Sequence, residues 1–284
     1  YTQVDIDDED SLSSRFTRNT ARKLLDVAVI RLPRISNFTD FSPFERYENV
    51  SLRYIESVRD LGAPDLILLP GTKSTIADLQ WLRESGLEAA ILKEAARGTL
   101  IFGVCGGYQM LGRSVCDPDG VEAAGVTELR GLGLLPVDTV FHGQKVQRQT
   151  SGKFSGISGL LASLSGLSYE GYEIHMGETT YEPGGTVFSA IAETVGTQHV
   201  DEAMANGCQY QNAAGSYVHG LFDSVEMQKA LLRLLCQKKG LPEEAVSWID
   251  EKVYKEQQYD KLAEGLRENM DMAKIYQILE EGLA

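Results

Sequence analysis

The fold is decided by the stretch TLIFGVCGGYQML, residues 99–111. Its unbroken apolar run over 99–104 is typical of a strand that is buried on both faces of a parallel sheet. A helix-like pattern follows at once over 108–111. Cys105 therefore lies on a tight turn between a buried strand and a helix, an arrangement known as a nucleophile elbow.

The residues before this turn alternate between strand and helix patterns. Apolar runs over 27–32, 51–55 and 65–69 predict three more strands, and helical periodicity extends from about 75 to 97 with a break near Gly86. This alternation is typical of an α/β fold, in which a mostly parallel sheet is flanked by helices. We therefore expect the cysteine at the carboxyl edge of such a sheet.

The residues after the turn have a different character. Gly-rich turns and β-rich runs, such as 172–176 and 186–192, predict antiparallel additions between about 125 and 215. Helical patterns then predict a helix over 225–239, ended by Gly240, and a second helix over 259–280. The apolar stripe of this last helix predicts docking onto the core, with a partner interface as the alternative.

Composition excludes several classes of partner. The net charge of −14 argues against nucleic acid or an anionic membrane surface, because both need a basic footprint. No apolar stretch approaches the ~20 residues of a membrane span. The four cysteines, at positions 105, 116, 208 and 236, fit neither zinc-ligand spacing nor a disulfide scaffold. We therefore expect no metal site and a reducing cytoplasm.

The first residues differ from the rest of the chain. Segment 1–25 carries an acidic run over 5–10 and few apolar residues, which predicts a linker. Residues 26–284 are expected to form one domain that includes the C-terminal helical segment.

The turn around Cys105 suits nucleophilic chemistry. Small neighbours allow the tight turn and the close approach of a substrate. The positive end of the following helix favours a thiolate, and the free N–H of Gly106 is placed to bind an oxyanion. A buried core cysteine at a strand end remains the alternative; the other three cysteines are interpreted as structural.

A thiol hydrolase needs a base, and the chain has histidines at 142, 175, 199 and 219. His219 ends a short β-like run at a glycine, and His175 lies in another strand-like run, where alternation places Glu173 on the same face. His142 and His199 lie in polar stretches and are interpreted as surface residues. Position alone does not choose between His175 and His219.

Two motifs carry a resemblance to a known family. GVCGGYQ, residues 103–109, resembles the signature G-x-C-x-G-x-Q of the class I glutamine amidotransferases, and LLPG, residues 68–71, resembles their oxyanion strand. Further segments are similar to the glutaminase domain of the cobyric acid synthase family: RLPRISNFTD (31–40), GTKST (71–75), GYEIHMG (171–177), YVHGLF (217–222) and YDKLA (259–263).

This resemblance implies a fold and a set of roles. The fold is the flavodoxin-like fold of class I glutamine amidotransferases. Cys105 is implied as the nucleophile and His219 as its acid–base partner. The remaining implied roles are an oxyanion site at Gly71, Thr72 and Gly106, and substrate-binding residues at Tyr108, Gln109, Glu173 and His175.

The resemblance also implies an activity. Glutamine supplies ammonia for the ATP-dependent amidation of adenosylcobyrinic acid a,c-diamide in cobalamin biosynthesis. An N-terminal P-loop half, outside this chain, is implied to bind ATP and Mg²⁺, with the corrinoid at the domain interface and segment 1–25 as the interdomain linker. GTKS, residues 71–74, does not satisfy the P-loop pattern. No cofactor is expected in this domain.

The chain departs from the class I pattern at one place, and three other functions remain as alternatives. Class I enzymes usually carry H-P-E, but Gly220 and Leu221 follow His219, so Glu173 becomes a candidate for orienting the histidine. The alternatives are the glutaminase of a cobyrinic acid a,c-diamide synthase or of a lipid II amidotransferase, another cysteine hydrolase, and a silent binding domain. Ammonia release from glutamine discriminates another cysteine hydrolase, and the intact Cys105, Gln109 and His219 argue against a silent domain.

Overall fold

The structure is a computed structural model that describes residues 21–123, 125, 127–195, 204–248 and 251–281. Most of the predicted linker, 1–25, lies outside these residues, as does His199. The chain divides into two compact units: the described residues up to Ser247 belong to the larger, and the C-terminal helices to the smaller.

The described residues contain fourteen strands and seven α-helices. The strands are β1 (Leu25–Ile30), β2 (Ile35–Ser36), β3 (Val50–Ile55), β4 (Leu66–Leu69), β5 (Gly71–Thr72), β6 (Leu100–Val104), β7 (Ser114–Cys116), β8 (Glu128–Arg130), β9 (Val137–Phe154), β10 (Ser168–Tyr181), β11 (Thr186–Val195), β12 (Met204–Tyr210), β13 (Ala213–Ser216) and β14 (Val218–His219). The helices are α1 (Val58–Leu61), α2 (Thr75–Glu84), α3 (Leu87–Ala96), α4 (Gly106–Leu111), α5 (Val225–Lys239), α6 (Glu251–Asn269) and α7 (Met272–Glu281). A 3-10 helix spans Phe38–Arg46.

A parallel sheet forms the centre of the larger unit. Its strands follow the order β13-β6-β4-β1-β3, and every neighbouring pair in this series is parallel. All residues of β1, β4 and β6 are buried, as their continuous apolar runs predicted. The α/β prediction is confirmed.

Antiparallel strands extend this sheet on the side of β13. The order continues as β12-β11-β9-β10-β14, with antiparallel pairing throughout. The predicted antiparallel additions are therefore present. Because β13 lies beside β6, the short connection from β13 to β14 brings His219 back to the end of β6, where Cys105 lies.

Several predicted boundaries move in the structure. β1 begins at Leu25, so the last residue of the predicted linker is already part of the sheet. The helical pattern 75–97 divides into α2 and α3 at Gly86, whose φ of 77° ends the first helix. Helix α5 has the predicted bounds, and Gly240 caps it with a φ of 68°.

The predicted helix over 259–280 is wrong as a single element. The structure has α6 and α7, separated at Met270 and Asp271. The carboxylate of Asp271 accepts a hydrogen bond of 3.1 Å from the N–H of Lys274, which is an N-cap that starts a new helix. Docking of this segment onto the core stays a prediction.

Candidate active site

Cys105 lies on a strained turn between β6 and α4. Its φ of 51° and ψ of −111° are rare for a residue that has a side chain. A Cβ built at Gly107 would lie 2.1 Å from the carbonyl oxygen of Leu69, and one at Gly103 would lie 2.6 Å from the carbonyl carbon of Gly107. Only glycine fits both positions, which explains the small residues around the cysteine.

The predicted oxyanion residues converge beside this turn. A Cβ built at Gly106 would lie 3.3 Å from the backbone nitrogen of Thr72, and one at Gly71 would lie 3.2 Å from Cε1 of His219. The strand β5, which holds Gly71 and Thr72, pairs with β2. The backbone around Thr72 and Gly106 therefore borders the same space as the imidazole.

His219 is buried and held by a carboxylate. Its Nδ1 lies 2.7 Å from Oδ2 of Asp40, whose Oδ1 accepts a hydrogen bond of 3.1 Å from the N–H of Gly220. The ring of Tyr172 stacks on the imidazole, with centroids 5.1 Å apart and planes inclined by 21°. Asn37 donates a hydrogen bond of 2.5 Å to the hydroxyl of Tyr172.

The surroundings of His219 favour its protonated form. Burial alone would lower the pKa of the imidazole. The charge and hydrogen bond of Asp40, together with the neighbouring Cys105 side chain, outweigh burial and raise this pKa to about 10. Nε2 is buried and has no hydrogen-bond partner of standard geometry among the described residues.

The expectation that Glu173 orients the histidine is wrong, because Asp40 is the acid that contacts the ring of His219. Glu173 is buried, but its carboxylate is bound by Arg148 and by the side-chain amide of Asn206. Sequence reasoning missed Asp40, although it ends the segment RLPRISNFTD on which the family resemblance partly rests. Pairing with a histidine so far along the chain leaves no local pattern.

Cys105 and His219 open into one cavity of about 410 Å³, which we call the thiol cavity. Its lining includes Thr72, Gly106, Gln109, His175, Lys73 and Glu122. The carboxylate of Glu122 accepts hydrogen bonds of 2.9 and 2.7 Å from the N–H groups of Thr75 and Ile76. The cavity thus contains cationic and anionic side chains beside the thiol.

The two predicted substrate-binding residues of α4 lie in different places. The side-chain amide of Gln109 borders the thiol cavity, where it donates hydrogen bonds of 2.9 Å to the carbonyl of Met176 and 3.2 Å to the hydroxyl of Tyr217. Tyr108 is wholly buried, packs edge-on against Tyr217 and does not line the thiol cavity. Its position is that of a core residue.

His175 and Glu173 lie at a second cavity, of about 400 Å³, which also includes Val146, Arg148 and Tyr217. His175 borders the thiol cavity as well. Its ring stacks on Tyr217, with centroids 3.7 Å apart. Burial, followed by the nearby charges of Arg148 and His219, lowers the pKa of His175 to about 4, although peptide groups of Gly177 and Met176 oppose the shift.

The remaining thiols and His142 lie outside the thiol cavity. All four cysteines are free. Burial raises the pKa of Cys208 to about 11, which suits a structural thiol. His142 is exposed at the rim of the second cavity.

Comparison with known proteins identifies the family to which this chain belongs. The sequence model of the CobB/CobQ-like glutamine amidotransferase domain matches residues 26–227. The chain belongs to this family. It is therefore a glutamine amidotransferase domain, and the match includes both Cys105 and His219.

Sequence relatives within the family are longer than this chain. The chain is 52% identical to a cobyric acid synthase of Lachnoclostridium phytofermentans, over all of its own length and 55% of the relative's. It is 48% identical to the cobyric acid synthase of Ruminiclostridium cellulolyticum and 44% identical to that of Streptococcus sanguinis, covering 54% of each. The chain thus spans about half the length of the relatives that it matches.

Solved structures show the same fold at low sequence identity. A glutamine amidotransferase crystal structure matches 76% of this chain and 99% of its own, with a TM-score of 0.53 and 17% identity. The PurLQS structure from Thermotoga maritima matches 74% of this chain and 99% of its own, with a TM-score of 0.54 and 18% identity. Among the described residues, no helix has the length and apolar character needed to cross a bilayer.

Proposed function

We propose that this chain is the glutaminase of a cobyric acid synthase. It would hydrolyse glutamine and supply ammonia for the ATP-dependent amidation of adenosylcobyrinic acid a,c-diamide in the cytoplasm. The observation that carries the proposal is the placement of Cys105 and the Asp40-bound His219 at one cavity, in a chain of this family.

The proposed reaction proceeds through a thioester. The Cys105 thiolate attacks the side-chain carbonyl carbon of glutamine, and N–H groups of Thr72 or Gly71 and of Gly106 bind the oxyanion that forms. Collapse of this intermediate breaks the C–N bond, and the imidazolium of His219 donates its proton to the leaving nitrogen. The neutral imidazole then takes a proton from water, whose oxygen attacks the thioester and releases glutamate.

Asp40 is proposed as a positioning residue for this proton transfer. Its hydrogen bond occupies Nδ1, which leaves Nε2 of His219 for the thiol and the leaving nitrogen. The raised pKa of His219 supports a protonated imidazole beside Cys105 before glutamine binds. Lys73, Lys145 and Glu122 supply charges of both signs, which suit the α-carboxylate and α-ammonium groups of glutamine.

The rest of the synthase is proposed to lie in a separate half. An N-terminal domain would bind ATP and Mg²⁺, with the corrinoid at its interface with this chain. No cofactor, nucleic acid or membrane partner is proposed for the glutaminase itself. The greater length of the relatives supports an additional domain.

Two measurements test this function. The chain should convert glutamine into glutamate and ammonia, and addition of the ATP-dependent half with its corrinoid should raise that turnover. A protein that binds glutamine without releasing glutamate under either condition would be a silent binding domain. Glutamate release without transfer of nitrogen to the corrinoid would place the chain with another cysteine hydrolase.

A further inference from the structure

Tyr172 covers one face of the imidazole of His219. Tyr172 of β10 lies directly opposite His219 of β14 in the antiparallel ladder. Directly opposed residues of such a pair project from the same face of the sheet, which brings the two side chains together. The rings stack with centroids 5.1 Å apart and planes inclined by 21°. Tyr172 is 38% exposed and His219 only 1%, so the tyrosine ring belongs to the cover between this imidazole and solvent.

The hydroxyl of Tyr172 is held by Asn37, whose Nδ2 donates a hydrogen bond of 2.5 Å to it. Asn37 has a φ of 53° and a ψ of 39°, in the left-handed region that asparagine tolerates better than most residues with a side chain. Its carbonyl oxygen accepts a bond of 3.1 Å from the N–H of Asp40 and so starts the 3-10 helix that carries this acid. One short segment, 37–40, therefore contacts both the imidazole and the ring that covers it.

The two contacts restrain different movements of the imidazole. The hydrogen bond between Nδ1 and Asp40 allows the ring to rotate over the range of angles that hydrogen bonds tolerate. Because Nε2 lies on the far side of the ring, such a rotation changes the direction in which Nε2 points. The ring of Tyr172, packed against the face of the imidazole, opposes this rotation.

The stacking also suits a positively charged imidazole. The face of an aromatic ring attracts a cation that lies within about 6 Å of its centroid. Burial lowers the pKa of His219, but Asp40 and Cys105 outweigh burial and raise this pKa to about 10. His175, with a pKa of about 4, is neutral at physiological pH. Other charged side chains line the same cavity: Lys73, Lys145 and Glu122. Tyr172 therefore acts in the same direction as Asp40, towards the imidazolium.

We propose that Tyr172, held by Asn37, is a positioning residue whose stacked ring keeps Nε2 of His219 directed at Cys105 and stabilises the imidazolium. This inference rests on the proposed function and adds a residue to it. Tyr172 does not line the thiol cavity, so it acts on the reaction through His219 and not by contact with glutamine. The hydrogen bond from Asn37 is exposed, and water replaces such a bond at little cost to stability, which leaves the orientation of the ring as its main effect.

The stack is tested by two substitutions of Tyr172 in the full-length synthase. Tyr172→Leu keeps an apolar cover over His219 but removes the aromatic face. It should lower kcat for glutamate release by about 10-fold, with the KM for glutamine nearly unchanged. Tyr172→Phe keeps the aromatic face and should lose only about 2–3-fold. Tyr210→Leu is the matched control and should keep normal kcat, because Tyr210 is similarly exposed, at 39%, and lies outside the thiol cavity.

The pH profile separates a positioning role from a structural one. Loss of the aromatic face should lower the pKa of His219, so the fall of kcat at high pH should begin about 0.5–1 pH unit lower in Tyr172→Leu than in Tyr172→Phe. A substitution that only reduces the amount of folded enzyme lowers kcat without moving this profile. The rate of alkylation of Cys105 over the same pH range gives a second reading that needs no glutamine turnover.

The contact with Asn37 is tested separately and stays informative if Tyr172→Leu does not fold. Asn37→Gly removes the amide, and glycine adopts the left-handed backbone without strain. Asn37→Gly and Tyr172→Phe break the same hydrogen bond, so the double variant should be no slower than the slower single variant. Multiplied losses in the double variant would overturn the coupling of Asn37 to Tyr172.

Three results would overturn the positioning role of Tyr172. They are an unchanged kcat and pH profile in Tyr172→Leu, a change confined to the KM for glutamine, and an equal loss in Tyr210→Leu. A failure of the proposed function gives a different pattern. The unsubstituted synthase would then release no glutamate, while the pH dependence of Cys105 alkylation would still differ between Tyr172→Leu and Tyr172→Phe.

Discussion

Oδ2 of Asp40 lies 2.7 Å from Nδ1 of His219, although the two residues are 179 positions apart in the chain. The same carboxylate accepts a hydrogen bond from the N–H of Gly220. It therefore fixes both the ring and the backbone of the histidine. In this chain, a carboxylate from the 3-10 helix Phe38–Arg46 takes the place of an acid two residues after the histidine.

Asp40→Asn should lower the turnover of glutamine by about 10²–10⁴-fold, with little change in the amount of folded protein. The asparagine oxygen can still accept the bond from Gly220. Its neutral side chain, however, neither stabilises the imidazolium nor fixes the tautomer that directs Nε2 to the thiol. The measurement is steady-state glutamate formation, together with its pH profile.

Glu173→Gln is the comparison for Asp40→Asn, since Glu173 was the acid expected from the sequence. Its carboxylate is bound by Arg148 and Asn206, so this change should affect thiol chemistry much less. A large loss in Glu173→Gln beside normal turnover in Asp40→Asn would show that Asp40 does not position the histidine.

The stability of the fold should depend on pH through His219. Its pKa is raised from 6.5 to about 10 in the folded protein. The stabilisation that this shift provides is complete below pH 6.5 and is lost as the pH rises through about 10. Urea unfolding should therefore show that the free energy of unfolding falls between pH 7 and pH 10. This fall should be larger in the unsubstituted protein than in Asp40→Asn. Equal losses in the two proteins would contradict this assignment.

Gly107→Ala should destabilise the protein by roughly 1–3 kcal/mol or more, because the added methyl would overlap backbone. Its Cβ would lie 2.1 Å from the carbonyl oxygen of Leu69. Gly143→Ala is the matched control, since nothing lies within 4 Å of a Cβ at that position. Denaturant midpoints measure both changes. Similar midpoints for the two variants would mean that the backbone around Cys105 shifts to accommodate the methyl group without loss of stability.

The features predicted from sequence were those with local causes. Buried parallel strands need continuous apolar runs, and the elbow at Cys105 needs glycine where backbone comes within contact distance. The link between Asp40 and His219 depends on tertiary contact and has no local signal. The break between α6 and α7 was missed because a cap at Asp271 interrupts a periodicity that otherwise continues.

Side-chain direction limited the prediction of the site. Gln109 and Tyr108 are adjacent in the motif, but only Gln109 reaches the thiol cavity, because successive helix residues point about 100° apart. Glu173 and His175 share a face of β10, as alternation predicted. The partner of Glu173 on that face is Arg148 from the next strand, which a single-strand pattern does not reveal.

Cys105→Ser should abolish glutamine-dependent ammonia release while the fold is retained. A serine hydroxyl is a poor nucleophile unless a strong general base activates it. In the complete synthase, added ammonium should still support amidation, because the thiol serves only to generate ammonia. Cys116→Ser, outside the thiol cavity, is the control and should keep normal turnover. Near-normal glutamate formation by Cys105→Ser would refute the nucleophile.

The two histidines at the thiol cavity should be separable by the reactivity of the cysteine. His219→Ala removes the imidazolium beside Cys105, so alkylation by a glutamine-like electrophile should slow and turnover should fall by about 10²–10⁴-fold. His175 is neutral and stacked on Tyr217, so it contributes no charge to the thiolate.

His175→Ala should therefore keep most of the thiol reactivity and instead alter glutamine affinity or the transfer of ammonia. The alkylation rates of both variants, followed by mass spectrometry over the same pH range, make the comparison direct. We expect slower alkylation in His219→Ala than in His175→Ala, because of these two histidines only His219 is bound by a carboxylate, that of Asp40, which stabilises the imidazolium. Slow alkylation in His175→Ala together with a normal rate in His219→Ala would make His175 the acid–base residue.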